Sequence, residues 1–459
     1  MATEVNIIKN QKTKEAKSEY KDELKRVLTL KDLTIYGIAF MTPIAPAYIY
    51  GAATELTGGM LALAYLFAMI AMLFTAYSYG RMAAAFPVAG STYTYTQRAI
   101  SPYLGFLAGW CMFMSYVLVP LVVFMVGASY ANVAMPAVPY WVWVLLIGGV
   151  TTVVNYFGVE IAAKANLYLV GLMGAIVAIF VFVCGKSLLS GVGEGTLLSI
   201  KPFYNESTFS VSTLIAGGAI ACFSFLGFDS ITTMAEESIK PEKDIGKAAL
   251  ISCIVGGIIF IIQAYIIQLV WPDYSTFASA DTALFEVAKL AGGALLAGLY
   301  TFAVIISTFT AGLTGQSSAA RLLFGMGRDE VLPKKFFTYL HPKYKTPTYN
   351  IFIMSAIGVL GALTLNLSLV TELLNFGGLI GFMCVNLSVI VYYFIKRKEK
   401  RIFFNLIIPA LGFIVCFYLW INLSKFSLTI GGIWVSLGII YGIILLKVTK
   451  NNLPILNDI

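Results

Sequence analysis

The chain has 459 residues, of which 59% are apolar and only 12% are charged, and its mean hydropathy is +0.84. Soluble domains carry about 25% charged residues, so this composition excludes a soluble globular protein and predicts a surface that largely faces lipid. The first 31 residues are polar and lack the apolar run of a signal peptide. We therefore expect residues 1–31 to form a disordered cytosolic tail.

A helix needs about 20 apolar residues to cross the hydrocarbon core of a bilayer. Windows of that kind follow one another along the rest of the chain and predict an all-α membrane protein with twelve transmembrane helices. The windows cover residues 32–54, 60–82, 103–133, 140–158, 165–187, 211–235, 248–270, 294–322, 349–367, 372–394, 403–423 and 427–446.

The distribution of lysine and arginine predicts the orientation, because short cytosolic loops are enriched in both. With the N-terminus in the cytosol, 27 of the 31 basic residues fall on the cytosolic side, and only Lys186, Lys201, Lys289 and Lys425 fall outside. Both termini are therefore expected in the cytosol. The same asymmetry accounts for the net charge of +8, so nucleic acid is not expected as a partner. Short charged ends without a cleavable signal are typical of the bacterial inner membrane.

The first window contains Thr42-Pro43-Ile44-Ala45-Pro46 at its centre. Each proline removes a backbone donor and clashes with the preceding turn, so two prolines three residues apart favour a true break over a simple kink. Transporters often bind substrate where a helix is interrupted near the membrane midplane, because the freed backbone groups become ligands. The first window is therefore a candidate for part of a substrate site.

The sixth window reads Phe223-Ser224-Phe225-Leu226-Gly227-Phe228-Asp229. Gly227 permits unwinding, and Asp229 is the only acidic residue well inside a predicted span. A carboxylate in the bilayer is costly and marks a functional site by default. The alternative is an inert carboxylate that caps the second half of the helix, and the two interpretations are compatible.

Windows one and six lie five windows apart, which predicts two inverted repeats of five helices followed by two extra helices. The corresponding divisions are 32–190 for the first repeat, 191–395 for the second, and 396–459 for the last two helices and a short cytosolic C-terminus.

Reactive residues are sparse in the predicted spans. All six cysteines lie in apolar runs without CxxC spacing, and the single histidine, His341, lies in a polar loop. Neither a metal site nor a cofactor is expected, and a membrane-embedded enzyme is disfavoured. A channel often shows a repeated pore segment or rings of charge, and a solute sensor on a transporter scaffold would normally carry another soluble domain. A secondary transporter is the favoured class.

Four segments resemble the amino acid–polyamine–organocation superfamily of permeases, and the resemblance covers about residues 30–450 in the right order. It implies a fold like that of the leucine transporter and alternating access for small organic solutes. The segments are Pro87-Val88-Ala89-Gly90-Ser91-Thr92-Tyr93-Thr94-Tyr95, Phe225-Leu226-Gly227-Phe228-Asp229 through Ala235-Glu236-Glu237, Arg321-Leu322-Leu323 with Met326-Gly327-Arg328-Asp329 and Leu332-Pro333, and His341-Pro342-Lys343 with Thr346-Pro347.

Within the superfamily, the chain most resembles the bacterial putrescine importers, through the Thr-Pro start of the first break, Cys222 to Asp229, and Asn375-Phe376-Gly377. That group carries an aspartate after the first break and another in the third span, where this sequence has Tyr48 and Ser115. The resemblance therefore leaves Asp229 as the only carboxylate for a dication. It favours a zwitterionic amino acid or a monoamine, with putrescine or another polyamine as the alternative.

The superfamily implies a substrate site between spans 1, 3, 6, 8 and 10. Amides of Ala47 and Tyr48 would hold a carboxylate, because a half-helix begins there, while carbonyls near Phe223 to Leu226, with Asp229, would hold an ammonium group. The ring of Phe223 or Phe228 would stack over the apolar part of the substrate, which we call its stem. The candidate substrate-binding residues are Thr42, Ile44, Ala45, Pro46, Ala47, Tyr48, Tyr116, Pro120, Phe223, Ser224, Phe225, Leu226, Gly227, Phe228 and Asp229.

Three couplings stay open. Protonation of Asp229 would drive symport, Ser307 and Thr308 would help to hold sodium, or exchange would proceed without an ion. Helix packing is the alternative role of the two hydroxyls. Proton-coupled relatives often place a lysine deep in the fifth span, where this sequence has Met173, so a lysine-linked mechanism is not expected. The sequence does not indicate whether the protein is a monomer or an oligomer.

Overall fold

The computed structural model describes residues 26–277 and 283–448 of the chain. Every regular element in these ranges is a helix, and the one isolated strand-like pairing there is a parallel bridge between Leu28 and Ser238. The all-α prediction is therefore confirmed for the described chain. The predicted tail lies outside the described residues up to residue 25, and so do residues 449–459.

Residues 30–189 form the first group of helices. The first two make one bent rod, because α1 (Leu30–Met41) and α2 (Pro46–Leu56) meet at 53° across residues 42–45. The others are α3 (Leu61–Ala85), α4 (Ser91–Ala99), α5 (Pro102–Ala134), α6 (Tyr140–Phe157) and α7 (Val159–Leu189).

The second group begins with another interrupted rod, in which α8 (Val211–Phe223) gives way to a 3-10 helix (Phe228–Glu237). The long helix α10 changes direction at Gly293, where φ is 69°. In chain order the remaining elements are α9 (Pro241–Val270), a 3-10 turn (Tyr274–Thr276), α10 (Ala283–Arg328), α11 (Lys334–Phe337), α12 (Thr348–Thr364), α13 (Leu367–Val389) with a π-helical extension (Ile390–Lys396), a π-helical turn (Phe403–Ile407), α14 (Ile408–Ile421) and α15 (Lys425–Val448).

Ten helices in the described chain are long and apolar enough to cross a membrane, and the bent pair α1–α2 makes eleven. The remaining predicted span corresponds to α12, which is apolar but has only 17 residues. At 1.5 Å per residue it is about 26 Å long, which is shorter than a hydrocarbon core of about 30 Å. The structure therefore supports ten or eleven spans by length and composition.

Both predicted breaks are confirmed, and local sequence explains them. Thr29 caps the start of α1 with its side chain. Pro46 occupies the first position of α2, where a missing N–H costs nothing. In the second rod, residues 224–227 form a turn that ends in Gly227, whose φ is 125°. That left-handed conformation suits glycine and stops the α-helix.

Small residues bring the helices close together. Helices α3 and α9 cross with Gly80 against Gly246, and a Cβ added at Gly80 would lie 2.8 Å from the Gly246 Cα. Close backbone approach of this kind supplies the van der Waals packing that holds helices together in lipid.

Gly80→Ala should lower the free energy of unfolding by about 1–2 kcal/mol, because the overpacking outweighs the gain of about 1 kcal/mol in helix propensity. Gly298 is the matched control, since it is an exposed residue of α10 and nothing lies within 4 Å of an added Cβ. Gly298→Ala should be neutral or slightly stabilising. Thermal unfolding in detergent measures both, and equal midpoints for the two variants would contradict the close crossing.

Candidate substrate site

A cavity lies where the two broken rods meet, with an empty volume of about 660 Å³ including its open mouth. Its interior without that mouth is about 80 Å³. Its walls come from both breaks and from α5, α10 and α13. The lining residues are Phe40, Met41, Thr42, Ala45, Tyr48, Ile49, Val119, Val122, Val123, Val126, Phe223, Ser224, Leu226, Ala311, Leu367, Thr371 and Leu374.

The cavity wall is mainly apolar. Helix α5 contributes Val119, Val122, Val123 and Val126, which share one helix face because they follow the i, i+3, i+4, i+7 spacing. None of the described residues that line the cavity is Asp, Glu, Lys or Arg. This described part of the wall suits an apolar group of a ligand, and it offers dipoles rather than a formal charge to a charged end.

Polar side chains are few on this wall. The hydroxyl of Tyr48 is hydrogen-bonded to that of Ser307, and the hydroxyl of Ser224 lies 2.9 Å from that of Tyr65. The hydroxyl of Thr42 has no hydrogen-bond partner among the described residues, although Thr42 is buried. A buried hydroxyl without a partner is available to a ligand.

The first break uses its own backbone amides. The amide of Ala45 donates to the Thr42 carbonyl at 3.2 Å, and those of Ala47 and Tyr48 donate to Ile44 and Ala45 at 2.9 and 3.1 Å. Thr42 has φ 52°, a left-handed conformation that is costly for a β-branched residue. The predicted carboxylate contact at Ala47 and Tyr48 therefore has no free amide in this conformation.

The end of α1 offers acceptors instead. The last four carbonyls of a helix have no partner within it, and no hydrogen bond from outside α1 reaches those of Ala39, Phe40 or Met41 in the described chain. Phe40 and Met41 also line the cavity. The negative end of the helix dipole lies here, equivalent to about half a charge, so this end can hold an ammonium group.

Backbone hydrogen bonds within the second break form a tight turn. Phe225 donates its amide to the Cys222 carbonyl at 3.0 Å, and Leu226 donates to the Phe223 carbonyl at 3.1 Å. A Cβ at Gly227 would lie 2.7 Å from Phe40 Cγ, so glycine is what allows the second break to approach α1. The predicted ammonium acceptors at this break are therefore partly used in its turn.

The Asp229 carboxylate lies behind the cavity wall. Its Oδ2 accepts from the Tyr116 hydroxyl at 2.5 Å, and its Oδ1 accepts from the Gly227 amide at 3.1 Å. Asp229 is 1% exposed and does not line the cavity. It ties the second break to α5 through these two contacts.

Six of the predicted binding residues line the cavity: Thr42, Ala45, Tyr48, Phe223, Ser224 and Leu226. The others are not part of its wall, namely Ile44, Pro46, Ala47, Tyr116, Pro120, Phe225, Gly227, Phe228 and Asp229. Sequence analysis missed the valine face of α5, because its helical spacing around Pro120 is also found on lipid-facing helices. It also missed Leu367, Thr371 and Leu374 of α13, whose sequence carries no comparable mark.

The two hydroxyls considered for sodium are engaged within α10. Ser307 donates to the Val304 carbonyl at 2.5 Å, and Thr308 donates to the Ile305 carbonyl at 2.7 Å. In the first break, the Pro43 carbonyl accepts from Gln263 at 2.7 Å. These contacts favour a packing role for the hydroxyl pair in this conformation.

The broken rods, the cavity between them and the apolar helices agree with the family comparison. The profile of the family described as "Amino acid permease" matches residues 32–447. The chain belongs to this amino acid permease family of the amino acid–polyamine–organocation superfamily. It is a multi-pass membrane transporter and not an enzyme.

Several curated relatives match along nearly their whole length. The chain is 36% identical to the low-affinity putrescine importer PlaP of Escherichia coli (strain K12), over 95% of this chain and 97% of that protein. It is 26% identical to the branched-chain amino acid permease BcaP of Bacillus subtilis (strain 168), over 91% and 92%. It is also 26% identical to the methylthioribose transporter of the same organism, over 90% and 92%.

Asp229→Asn tests whether the buried charge is needed. The asparagine can still accept from the Gly227 amide, and its NH₂ can donate to the Tyr116 oxygen, so the fold should persist. We expect uptake to fall at least about tenfold, because an acidic group inside a membrane is retained for its charge or its proton. Uptake into vesicles between about pH 5 and 8 measures this, with thermal stability as the control. Wild-type uptake throughout that range would make Asp229 a structural cap.

Proposed function

We propose that this permease imports a small solute that combines one amino group with an apolar stem, and that an amino acid with an apolar side chain is the first candidate. The observation that carries the proposal is the valine-lined cavity, whose described lining residues are all uncharged, beside carbonyls of α1 that accept no hydrogen bond from the rest of the described chain. We also propose the twelve-span arrangement, with two inverted five-helix repeats, cytosolic termini and a bacterial inner-membrane location.

The ends of the substrate meet different surfaces in this proposal. Carbonyls of Phe40 and Met41 accept from the ammonium group, and the unpartnered hydroxyl of Thr42 lies beside them in sequence and in the cavity wall. The stem packs against the valine face of α5. Burying an apolar stem is worth about 25 cal/mol per Å². Asp229 acts at longer range through Tyr116 and the second break.

Putrescine import is the second candidate, and the 36% identity to the Escherichia coli importer favours it. A diamine carries two cationic ends and needs two sets of acceptors. The described cavity wall supplies the α1 carbonyls for one end and no formal charge for the other. For this reason we rank a monoamine or zwitterion ahead of a diamine.

In alternating access, the cavity is closed to one side of the membrane at a time. In the proposed orientation, the closed side is the cytosolic one. Buried aromatic rings of Tyr79, Tyr95, Phe228 and Phe382 pack edge-on or tilted beside the second break, with centroids 5.4–6.3 Å apart. On the other side the cavity wall extends to Leu367, which is 37% exposed. We assign this arrangement to an outward-facing step of the cycle.

For coupling we propose proton symport through Asp229. The carboxylate is buried beside the break, while the Ser307 and Thr308 hydroxyls already donate to carbonyls of their own helix. A sodium site with these two residues would need both to rotate. Uptake that follows an imposed proton gradient at constant sodium supports this coupling, and uptake that requires sodium contradicts it.

A thermal-shift screen of the purified protein should separate the two substrate classes. A ligand that binds only the folded state adds about 2.7 kcal/mol of stability at a hundredfold excess over its dissociation constant. We expect stabilisation by amino acids with apolar side chains and none by putrescine, cadaverine or spermidine. Competition for uptake in proteoliposomes is the second measurement. Stabilisation by putrescine alone would reverse our ranking.

Val122→Ala should widen the cavity and shift the substrate preference toward bulkier side chains by about tenfold or more in kcat/KM, since one methylene in an apolar pocket is worth about 1–3 kcal/mol. Val177→Ala is the matched control, because Val177 is a buried valine of α7 that does not line the cavity. The control should lower stability without changing preference. An equal change of substrate preference in both variants would mean that the apolar part of the substrate does not pack against Val122.

A further inference from the structure

Gln263 is a buried amide side chain in the middle of α9, and it does not line the cavity. It follows an apolar run, residues 258–262, and its exposed fraction is 0%. An amide that leaves water without new hydrogen bonds costs free energy. The role of Gln263 is therefore indicated by the groups to which its amide is bonded.

The amide of Gln263 has three hydrogen-bond partners. Its Nε2 donates to the Pro43 carbonyl at 2.7 Å and to the Ile259 carbonyl at 3.2 Å, and its Oε1 accepts from the Tyr300 hydroxyl at 3.1 Å. The two carbonyls can only accept, so the NH₂ group must face them and the amide oxygen must face Tyr300. These contacts fix the orientation of the side chain.

The Pro43 carbonyl depends on this contact. Within the first break, the carbonyls of Thr42, Ile44 and Ala45 accept from backbone amides of the break itself. No backbone amide of the described chain reaches the Pro43 carbonyl, whose donor is the Gln263 side chain on another helix. A buried backbone carbonyl needs a partner. Gln263 therefore supplies a hydrogen bond that the break does not make for itself.

The position of the Pro43 carbonyl sets the direction of the chain that leads back to α1. The proline ring fixes φ of Pro43 at about −65°, and Thr42, between Pro43 and α1, has φ 52° and ψ 130°. That conformation is costly for a β-branched residue and persists only where surrounding structure holds it. By holding the next carbonyl along the chain, Gln263 restrains Thr42 and the preceding Met41, which both line the cavity.

Tyr300 anchors the oxygen end of the same amide. It is a buried residue of α10, and its ring packs against that of Phe180 of α7 with the centroids 4.5 Å apart. Gln263 therefore connects the first break to α10 through two hydrogen bonds in series. A shift of the Pro43 carbonyl would break one of them, so neighbouring helices hold the break in place.

We propose that Gln263 is a positioning residue of the substrate site. By holding the Pro43 carbonyl, it sets the conformation of Thr42. It thereby aims the α1 carbonyls of Phe40 and Met41 at the amino group of the substrate. Gln263 acts through the backbone, since its own side chain does not line the cavity. This inference rests on the proposed function, in which those carbonyls accept from the ammonium group.

Gln268, which lies further along α9, provides a matched control. Its Oε1 accepts from the Tyr50 hydroxyl at 3.1 Å, and its Nε2 donates to the Pro272 carbonyl at 3.0 Å. Gln268 is also buried, and its partners are again a tyrosine hydroxyl and a proline carbonyl. Pro272 follows the end of α9 and lies outside both breaks. Replacing either glutamine by methionine removes a similar set of hydrogen bonds, but only Gln263→Met releases the first break.

The test measures uptake by the full-length protein in proteoliposomes, with L-leucine and putrescine as the probes. Gln263→Met should raise KM for the transported probe by about tenfold or more, the usual loss for one hydrogen bond to a charged group. The value of kcat should stay within about twofold, because the variant weakens binding and not the transport steps. Gln268→Met should lower thermal stability to a similar extent and leave KM within about twofold of wild type. Wild-type KM in folded Gln263→Met, or an equal rise in both variants, would overturn the proposal.

Isocaproate, the leucine analogue without the amino group, separates this proposal from the proposed function. In the wild-type protein it should compete with leucine uptake at least about tenfold more weakly than leucine itself, because it cannot donate to the α1 carbonyls. Gln263→Met should weaken leucine alone, so the ratio of the two inhibition constants should fall. Equal competition in wild type would overturn the proposed function, and an unchanged ratio in the variant would overturn the role of Gln263. If putrescine is the transported probe, the KM comparison is the test, since putrescine also binds through ammonium groups.

Tyr300→Phe covers the case that Gln263→Met does not fold. This variant keeps the bond between Gln263 and Pro43 but removes the partner of the amide oxygen, so the amide is free to turn. We expect KM to rise by about threefold with kcat unchanged, which is less than the loss of the whole contact. A folded Tyr300→Phe protein with wild-type KM, or with a fall in kcat alone, would contradict the positioning role.

Discussion

The constraint on which this structure depends is the need to satisfy backbone groups inside a bilayer. Two helices are interrupted in the membrane interior, and irregular backbone is tolerated there only when protein or a water-filled cavity surrounds it. The structure meets this need locally, through turn hydrogen bonds in both breaks, and at a distance, where Gln263 donates to the Pro43 carbonyl and itself accepts from Tyr300. The carbonyls of Ala39, Phe40 and Met41 at the end of α1 accept no hydrogen bond from the rest of the described chain, and Phe40 and Met41 line the cavity.

The buried carboxylates that the structure describes lie outside the cavity wall, and each makes different contacts. Asp229 lies behind the wall and braces the second break against α5 through Tyr116. Two further carboxylates lie at the end of the 3-10 helix, paired with arginines of α10. The described cavity wall is shaped mainly by apolar side chains, four valines of α5 among them. Under the proposed function, such a site would discriminate by the size of the apolar part of the substrate and by the presence of an amino group more than by net charge.

Sequence predicted the features that local chemistry controls. The two prolines of the first rod and Gly227 of the second rod act on their own backbone, so both breaks were predictable. Helix windows were equally clear, except that α12 is too short to count as a span by length. The family resemblance followed from segments at the second break and in the loops after the second and eighth windows.

What sequence did not reveal depends on how helices rotate against one another. The amides of Ala47 and Tyr48 are adjacent to a half-helix start, yet the turn within the break uses them. Tyr116 was expected in the wall, and instead it points at Asp229. The valine face of α5 carries helical spacing, but many lipid-facing helices share that pattern, so only packing identifies it as a cavity wall.

The central claim is that backbone carbonyls of α1, and not a carboxylate, hold the amino group of the substrate. Solid-state NMR of the protein in lipid measures this directly, with ¹⁵N in the amino group of the bound solute and ¹³C in selected protein positions. The account predicts dipolar contact between that nitrogen and the carbonyl carbons of Phe40 and Met41. Contact with the Asp229 carboxyl carbon and none with α1 would contradict it.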